Sequence, residues 1–256
     1  MKKLVSLLVL ISLLVGLSGL TGAADLTGED VLDKIKESID ANSAQLTLKM
    51  ELYSSSGSKR ERKMKVWTQE QNQDKAMMRF LAPASIEGTG FLSQDKANGE
   101  EEMYLYMPAL GGVRKIAGSQ KNGSFVGTDF SYNDLSILGG GNYKEDYEAT
   151  ILNKDSSQYL LKLVPTDEEI EYKYGKMWVR KSNWVPSKIK FYDAQGKLYK
   201  VLTNDNIKQI DGYWTPYQMT MKNKQQGTKT VLYIKEITYD QQINPRRFTT
   251  RNLRRY

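Results

Sequence analysis

The stretch QLTLKMELYS, residues 45–54, alternates apolar and polar side chains along nearly its whole length. Four apolar residues share one face of the extended chain: Leu46, Leu48, Met50 and Leu52. A period of two predicts a β-strand with one face buried and the other in water. This pattern recurs through most of the chain and decides its fold class.

Runs of the same kind recur along the sequence, separated by turn sequences such as SSSGSK and DKANGE. Roughly ten or eleven short strands at near-regular spacing predict a mainly β protein, built as one large, curved antiparallel sheet or unclosed barrel. No linker composition divides the chain, so we expect a single domain over residues 25–256. An amphipathic helix opens this domain, where Thr27 is a cap with Asp30 three residues on.

Residues 1–24 have the composition of a secretory signal peptide. Lys2 and Lys3 precede an uncharged, largely apolar run, and small residues at 21–24 provide a cleavage site. A retained membrane anchor is the alternative, but the run is short and contains glycines. We therefore expect residues 1–24 to be cleaved and the remainder to be exported. Without cysteine, no lipid is attached after the signal.

Histidine and cysteine are both absent from the sequence. Ser-His-Asp catalysis, histidine bases, disulfides and thiolate metal sites are thereby excluded, together with almost all ordinary zinc sites. We expect no enzyme, no cofactor and no metal; an exported hydrolase with a carboxylate pair is the catalytic alternative. The net charge is +7, or +5 without Lys2 and Lys3. Because the two signs are interspersed, we expect no nucleic-acid partner.

The apolar strand faces are rich in methionine and leucine. Unbranched, polarizable methionine suits a surface that receives variable apolar ligands, although an ordinary core fits the same pattern. One helix covers little of such a sheet, so a lid segment or a ligand must cover the rest. The candidate cavity residues are Leu48, Met50, Leu52, Met64, Val66, Met78, Phe80, Phe91, Met103, Leu105, Met219 and Met221.

The stretch GSFVGTDFSYNDL, residues 123–135, is the candidate lid. It lacks the lysine of a phosphate loop, and the acidic residues within 141–148 match no calcium-loop spacing. Asp129 or Ser131 can cap a short helical turn that ends at the glycines 139–141. An ordinary long connection is the alternative to a hinged lid. The candidate lid residues are Gly123, Phe125, Gly127, Phe130, Tyr132 and Leu135.

Three long blocks carry a family resemblance: MRFLAPASIEGTGFLS (78–93), MYLYMPALGGVRKIAGSQKNGSFVGTDFSYNDL (103–135) and DGYWTPYQMTMKN (211–223). In this order they resemble the bacterial outer-membrane lipoprotein-sorting proteins, which are relatives of the periplasmic lipoprotein carrier LolA. The residues that match the signature are Phe80, Pro83, Gly88, Gly90, Pro108, Arg114, Gly123, Ser124, Phe125, Asp129, Phe130, Tyr132 and Asp134.

The resemblance implies an unclosed barrel of about eleven antiparallel strands, with helices across its mouth as a lid. It also implies a periplasmic, non-catalytic carrier whose apolar cavity holds acyl chains of lipids or lipoproteins. An inner-membrane transporter and an outer-membrane acceptor are the partners expected of such a carrier, which would act as a monomer. The alternative is an envelope sensor or transporter-associated adaptor that binds a protein partner on the same scaffold.

Overall fold

The computed structural model describes residues 25–39, 41–71, 73–138 and 143–255. In this part of the chain, thirteen antiparallel strands form one sheet that does not close. The strands are β1 (Ser43–Tyr53), β2 (Lys59–Gln71), β3 (Gln73–Ala82), β4 (Gly90–Asp95), β5 (Glu101–Met107), β6 (Gly112–Ile116), β7 (Tyr147–Lys154), β8 (Gln158–Pro165), β9 (Tyr174–Arg180), β10 (Pro186–Tyr192), β11 (Leu198–Ile210), β12 (Tyr213–Asn223) and β13 (Thr228–Tyr239).

Among the described residues, four α-helices accompany the sheet: α1 (Gly28–Ile39), α2 (Asp134–Leu138), α3 (Tyr143–Asp146) and α4 (Thr250–Leu253). The predicted mainly β, unclosed architecture is confirmed, but the predicted number of strands was wrong. β6 was missed because it is a five-residue edge strand that begins at the second of two glycines and shows no apolar alternation. The predicted signal peptide and the glycines 139–141 lie outside the described residues.

Strand order explains how the chain covers its own sheet. The order β6-β5-β4-β3-β2-β1-β13-β12-β11-β10-β9-β8-β7 consists of two meanders, joined where β1 pairs with β13. The two edge strands, β6 and β7, are consecutive in the sequence. The connection between these strands must therefore link one edge of the curved sheet to the other, and its described residues 123–138 lie over the concave face.

Helix α1 protects one of those edges. Thr27 Oγ1 accepts a hydrogen bond from the Asp30 amide at 3.1 Å, and the Asp30 carboxylate accepts one from the Thr27 amide at 2.7 Å, which confirms the predicted cap. A Cβ atom at Gly28 would lie 2.1 Å from the carbonyl oxygen of Ala149 in β7, so this contact requires glycine. The Glu29 carboxylate also accepts a hydrogen bond from the Ala149 amide at 2.8 Å, which gives a partner to a backbone N–H of the edge strand β7.

A small second core lies on the convex side of the sheet. Trp67, Met77 and Leu92 form its floor, and Phe248 and Leu253 of the C-terminal tail pack onto them. These five side chains are buried, and the guanidinium of Arg247 lies 4.1 Å from the centroid of the Trp67 ring. The arginine-rich tail is therefore part of the fold.

Replacing Arg79 with methionine is expected to detach this tail. The buried Arg79 guanidinium donates to the carbonyl oxygens of Gly88 and Leu253 at 2.7 Å and of Asn252 at 2.8 Å. Loss of these charge-assisted bonds should lower the free energy of unfolding by about 2–3 kcal/mol. Limited proteolysis should then cut within 243–255 first. R251M, a change at an exposed tail arginine, is the control, and equal cleavage of the two variants would contradict the assignment.

Candidate functional site

Residues 123–138, here called the covering segment, lie packed against the concave face of the sheet. Phe125 is fully buried, with its ring centroid 5.9 Å from Phe80, 5.5 Å from Phe91 and 5.6 Å from Tyr132. Rings at these separations add stabilisation beyond the area that they bury. The covering segment is thus an integral layer of the core at this end of the sheet.

Polar contacts attach the covering segment to the opposite wall. The Asp129 carboxylate accepts hydrogen bonds from the hydroxyl groups of Thr228 and Thr230, both in β13, and its amide donates to Thr230 Oγ1 at 3.0 Å. Ser131 caps α2 instead: its hydroxyl accepts the Asp134 amide at 3.1 Å, and its own amide donates to the Asp134 carboxylate at 2.7 Å. Of the two predicted caps, Ser131 is the one used.

A buried ion pair supplies another attachment. Lys200 Nζ lies 3.0 Å from Asp134 Oδ2 and 2.9 Å from the Tyr172 hydroxyl, which donates to Asp134 Oδ1 at 2.7 Å. Asp134 is 1% exposed and Lys200 is 4% exposed. Burial acts to lower the pKa of Lys200, but the Asp134 carboxylate outweighs it and the pKa is raised. Burial, reinforced by Asp134, raises the pKa of Tyr172 well above its usual value.

Arg62 of β2 makes a further contact with the covering segment from the floor of the sheet. Its Nη1 donates to the carbonyl oxygen of Val126 at 2.7 Å, and its guanidinium lies 5.7 Å from the Phe80 ring centroid. Burial lowers the pKa of Arg62 to about 10. Val126 has φ +48°, a left-handed conformation that β-branched residues rarely adopt, so its surroundings hold it there.

Next to the covering segment the concave face encloses an apolar cavity of about 140 Å³. The predicted residues that line this apolar cavity are Leu48, Met50, Met64, Val66, Met78, Met219, Phe125, Phe130 and Leu135. Sequence reasoning missed other lining residues, among them Ala44, Ala76, Leu202, Leu232 and Ile234. Three of these five, in β11 and β13, show the same alternation as β1 and could have been found from it.

The remaining predicted residues lie elsewhere in the core. Leu52, Phe80, Leu105, Met221 and Tyr132 are buried beside the apolar cavity without lining it, and Phe91 and Met103 face a second cleft. Of the two candidate hinge glycines, Gly127 has φ +74° and Gly123 has φ −65°. Only Gly127 therefore uses the conformational freedom of glycine.

The second cleft has a volume of about 750 Å³ and is here called the acidic cleft. Carboxylates outnumber lysines along its wall, which includes residues of α1, β2 to β6, α3 and the covering segment. Burial raises the pKa of Asp95 and of Asp146 to about 6, and it also raises the pKa of Glu101. Within the described residues, no group of carboxylates is arranged to hold a metal ion.

Stability should depend on pH through this cleft. Because the folded-state pKa of Asp146 is raised, the folded protein holds a proton that the unfolded chain loses between about pH 4 and 6. The protonated form stabilises the fold at low pH, and this contribution is lost as the pH rises through about 6. At about pH 5, Asp146 should therefore contribute about 1 kcal/mol more to the free energy of unfolding than it does at pH 7.

The wild-type protein should have a higher thermal unfolding temperature at pH 5 than this group allows at pH 7, and in the D146N variant the difference between the two pH values should be smaller. Ser136 donates to the Asp146 carboxylate at 3.0 Å, and asparagine keeps an acceptor there. E100Q is the control, since Glu100 lines the same acidic cleft and is exposed. An unchanged pH dependence in D146N would show that Asp146 is not the group responsible.

Comparison with known proteins relates this architecture to others. Residues 72–255 match a protein family described as "Uncharacterized protein". No curated protein matches the sequence. No helix in the described part of the chain has the length and apolar composition needed to cross a membrane.

Solved structures give closer parallels. A domain from Vibrio parahaemolyticus, described as an outer membrane lipoprotein-sorting protein, is 29% identical with a TM-score of 0.81, over 89% of this chain and 98% of its own. A DUF1329 family protein from Desulfovibrio piger ATCC 29098 is 25% identical, with a TM-score of 0.81, and the match covers 88% of this chain and 97% of that protein. A LolA superfamily protein from Nitrosomonas europaea has the same fold. It is 21% identical, with a TM-score of 0.72, and the match covers 89% of this chain and 100% of that protein.

Proposed function

We propose that this chain, which belongs to the family matched by residues 72–255 and has a LolA-like fold, is a non-catalytic carrier for the acyl chains of lipids or lipoproteins. We propose further that residues 1–24 are removed and that residues 25–256 act in the periplasm as one domain. The observation that carries the proposal is the apolar cavity, which lies between the methionine-rich concave face and the covering segment. Burial of each methylene group there contributes about 0.8 kcal/mol to binding.

The size of the apolar cavity implies that it must expand to bind a ligand. Its 140 Å³ is smaller than the roughly 300–1,000 Å³ of typical ligand pockets. Methionine side chains from β1, β2, β3 and β12 form part of its wall, and their unbranched chains can rearrange around a guest. We infer that the cavity is contracted in this structure and widens around a bound acyl chain.

Opening is expected at the end of the cavity away from the polar attachments. Asp129, Asp134 and Val126 are all bonded to the sheet, which argues against a hinge at Gly123 and Gly127. The opposite end is formed by Ile39 of α1 together with Leu138 and Tyr143. An entering acyl chain can replace the packing of these side chains, and the ion pair that joins α1 to α3 nearby, Lys144 with Asp33 at 2.8 Å, is exposed and therefore weak. We propose that α1 separates from α2 and α3 to admit cargo.

Titration with a fluorescent fatty acid tests the proposal. The wild-type protein should bind the probe saturably, with an emission change typical of an apolar site, and an unlabelled fatty acid should displace it. Non-saturable uptake, or none under conditions where the protein is folded, would overturn the carrier assignment.

A further inference from the structure

The outer face of β8, β9 and β10 is unusually basic. These three adjacent strands contain no aspartate or glutamate, although the whole chain has 30 acidic and 37 basic residues. Their inward positions are taken by buried apolar residues such as Leu161, Met177 and Phe191. Alternation therefore turns their basic side chains outward: Lys162, Lys176, Arg180, Lys188 and Lys190.

Three of these lysines are in direct register. Lys162 pairs with Lys176, and Lys176 pairs with Lys190, so three lysines occupy neighbouring positions across three strands. Like charges directly opposite each other on neighbouring strands are destabilising. Within the described residues, none of the three lies within 4.0 Å of a carboxylate oxygen, unlike Lys49 or Lys59 elsewhere on the sheet. An external anion would relieve this repulsion.

Aromatic rings flank the lysines on the same surface. The ammonium groups of Lys188 and Lys190 lie 5.4 and 5.3 Å from the centroid of the Trp178 ring. On the other side of the row, Tyr174 and Tyr192 stack with centroids 4.4 Å apart. Tryptophan and tyrosine favour the boundary between lipid and water because each combines an apolar ring with a polar group.

Exposed apolar side chains extend this surface towards the sheet edge. Leu152 of β7 is 47% exposed and Val164 of β8 is 38% exposed. Val164 pairs with Glu148 one strand away, at an outward position beyond Lys162. An acidic protein would satisfy the lysines alone, whereas lysines combined with Trp178, Leu152 and Val164 fit a surface that is both anionic and apolar.

We propose that the outer face of β7–β10, here called the basic aromatic face, docks on an anionic phospholipid bilayer. Lipid phosphates neutralise the lysine row, and the rings of Tyr174, Trp178 and Tyr192 lie among the headgroups. The apolar cavity is on the opposite side of the sheet, so docking leaves it free. This proposal goes beyond acyl-chain binding and does not depend on it.

Co-sedimentation with vesicles tests the proposal. The wild-type protein should bind vesicles of phosphatidylcholine mixed with phosphatidylglycerol, more weakly at high salt, and should not bind phosphatidylcholine alone. Since each lysine near an anionic surface contributes about 1 kcal/mol, K162Q/K176Q/K190Q should bind about 100-fold more weakly. The control K63Q/K208Q/K235Q removes the same charge at exposed positions elsewhere on the sheet and should lose only a small part of this affinity.

Three other results would overturn the proposal. They are equal losses in the two triple variants, equal binding to both kinds of vesicle, and binding to a polyglutamate peptide but not to vesicles. Tryptophan emission should shift to the blue on vesicle binding in the wild type, and this shift should be absent in W178F. The cavity variant A44F should bind vesicles like the wild type, which separates bilayer docking from cargo binding.

Discussion

K200M is expected to lower the free energy of unfolding by about 3–5 kcal/mol, because it leaves the Asp134 carboxylate buried without its cation. Asp134 and Lys200 are both almost inaccessible, and Tyr172 is the remaining side-chain donor to that carboxylate in the described structure. For a domain of this length, the thermal unfolding temperature should fall by about 10 °C. Amide hydrogen exchange should increase most in the covering segment, which Asp134 attaches to β11.

The double variant D134N/K200M is the matched control. Asparagine removes the buried negative charge. Its carbonyl oxygen can accept the Ser131 amide, and its NH2 group can donate to the Tyr172 hydroxyl oxygen, to which Lys200 donates in the wild type. It should therefore recover part of the lost stability, since breaking a buried pair costs more than replacing both partners. A K200M protein as stable as the wild type, or a double variant less stable than K200M, would contradict this account of the attachment.

A44F is expected to weaken the binding of a fluorescent fatty acid about tenfold without destabilising the fold. Ala44 lies on the inward face of β1 and lines the apolar cavity. A phenylalanine there occupies free volume, and exclusion of two methylene groups of the ligand would remove about 1.6 kcal/mol of binding energy. The free energy of unfolding should stay the same or rise, because the ring fills a void.

T47F is the control on the same strand. Thr47 lies on the outer face of β1, where it bonds to Glu236, so a ring there does not enter the apolar cavity. T47F should bind the fatty acid like the wild type. Equal affinity in A44F and the wild type would show that the acyl chain binds at some other place.

Local periodicity was sufficient to predict most of this fold. Alternation in runs such as 45–54 reflects burial of one strand face, and the spacing of Thr27 and Asp30 was enough to place the start of α1. The pairing of β1 with β13 was not predictable in this way. It joins residues nearly 200 positions apart, and no short-range pattern encodes which strand lies beside which.

The site shows the same division between local and long-range information. The cap at Ser131 and the apolar positions facing the cavity follow from local spacing. The roles of Asp129, Asp134 and Lys200 depend on strands far away in the sequence. Lys200 did carry a signal, since it occupies an inward position two residues before the buried Leu202, where a charge requires a partner.

These contacts change how the covering segment is understood. Its glycines and aromatic residues suggested a hinged lid, and that movement stays a prediction. The bonds from Thr230, Lys200 and Arg62 instead favour a fixed wall, with expansion at the end formed by Ile39, Leu138 and Tyr143. The same bonds explain how charged groups can lie deep in the interior, because each of them has hydrogen-bond partners there.

Mass spectrometry of the protein purified from its native source tests the carrier assignment most directly. Organic solvent should extract lipids or acylated peptides from the wild-type protein in near-stoichiometric amounts. The A44F protein, purified in parallel, should yield much less, and T47F should match the wild type. Wild-type protein repeatedly free of lipid, or equal lipid content in A44F and the wild type, would contradict the proposal that the apolar cavity carries acyl chains.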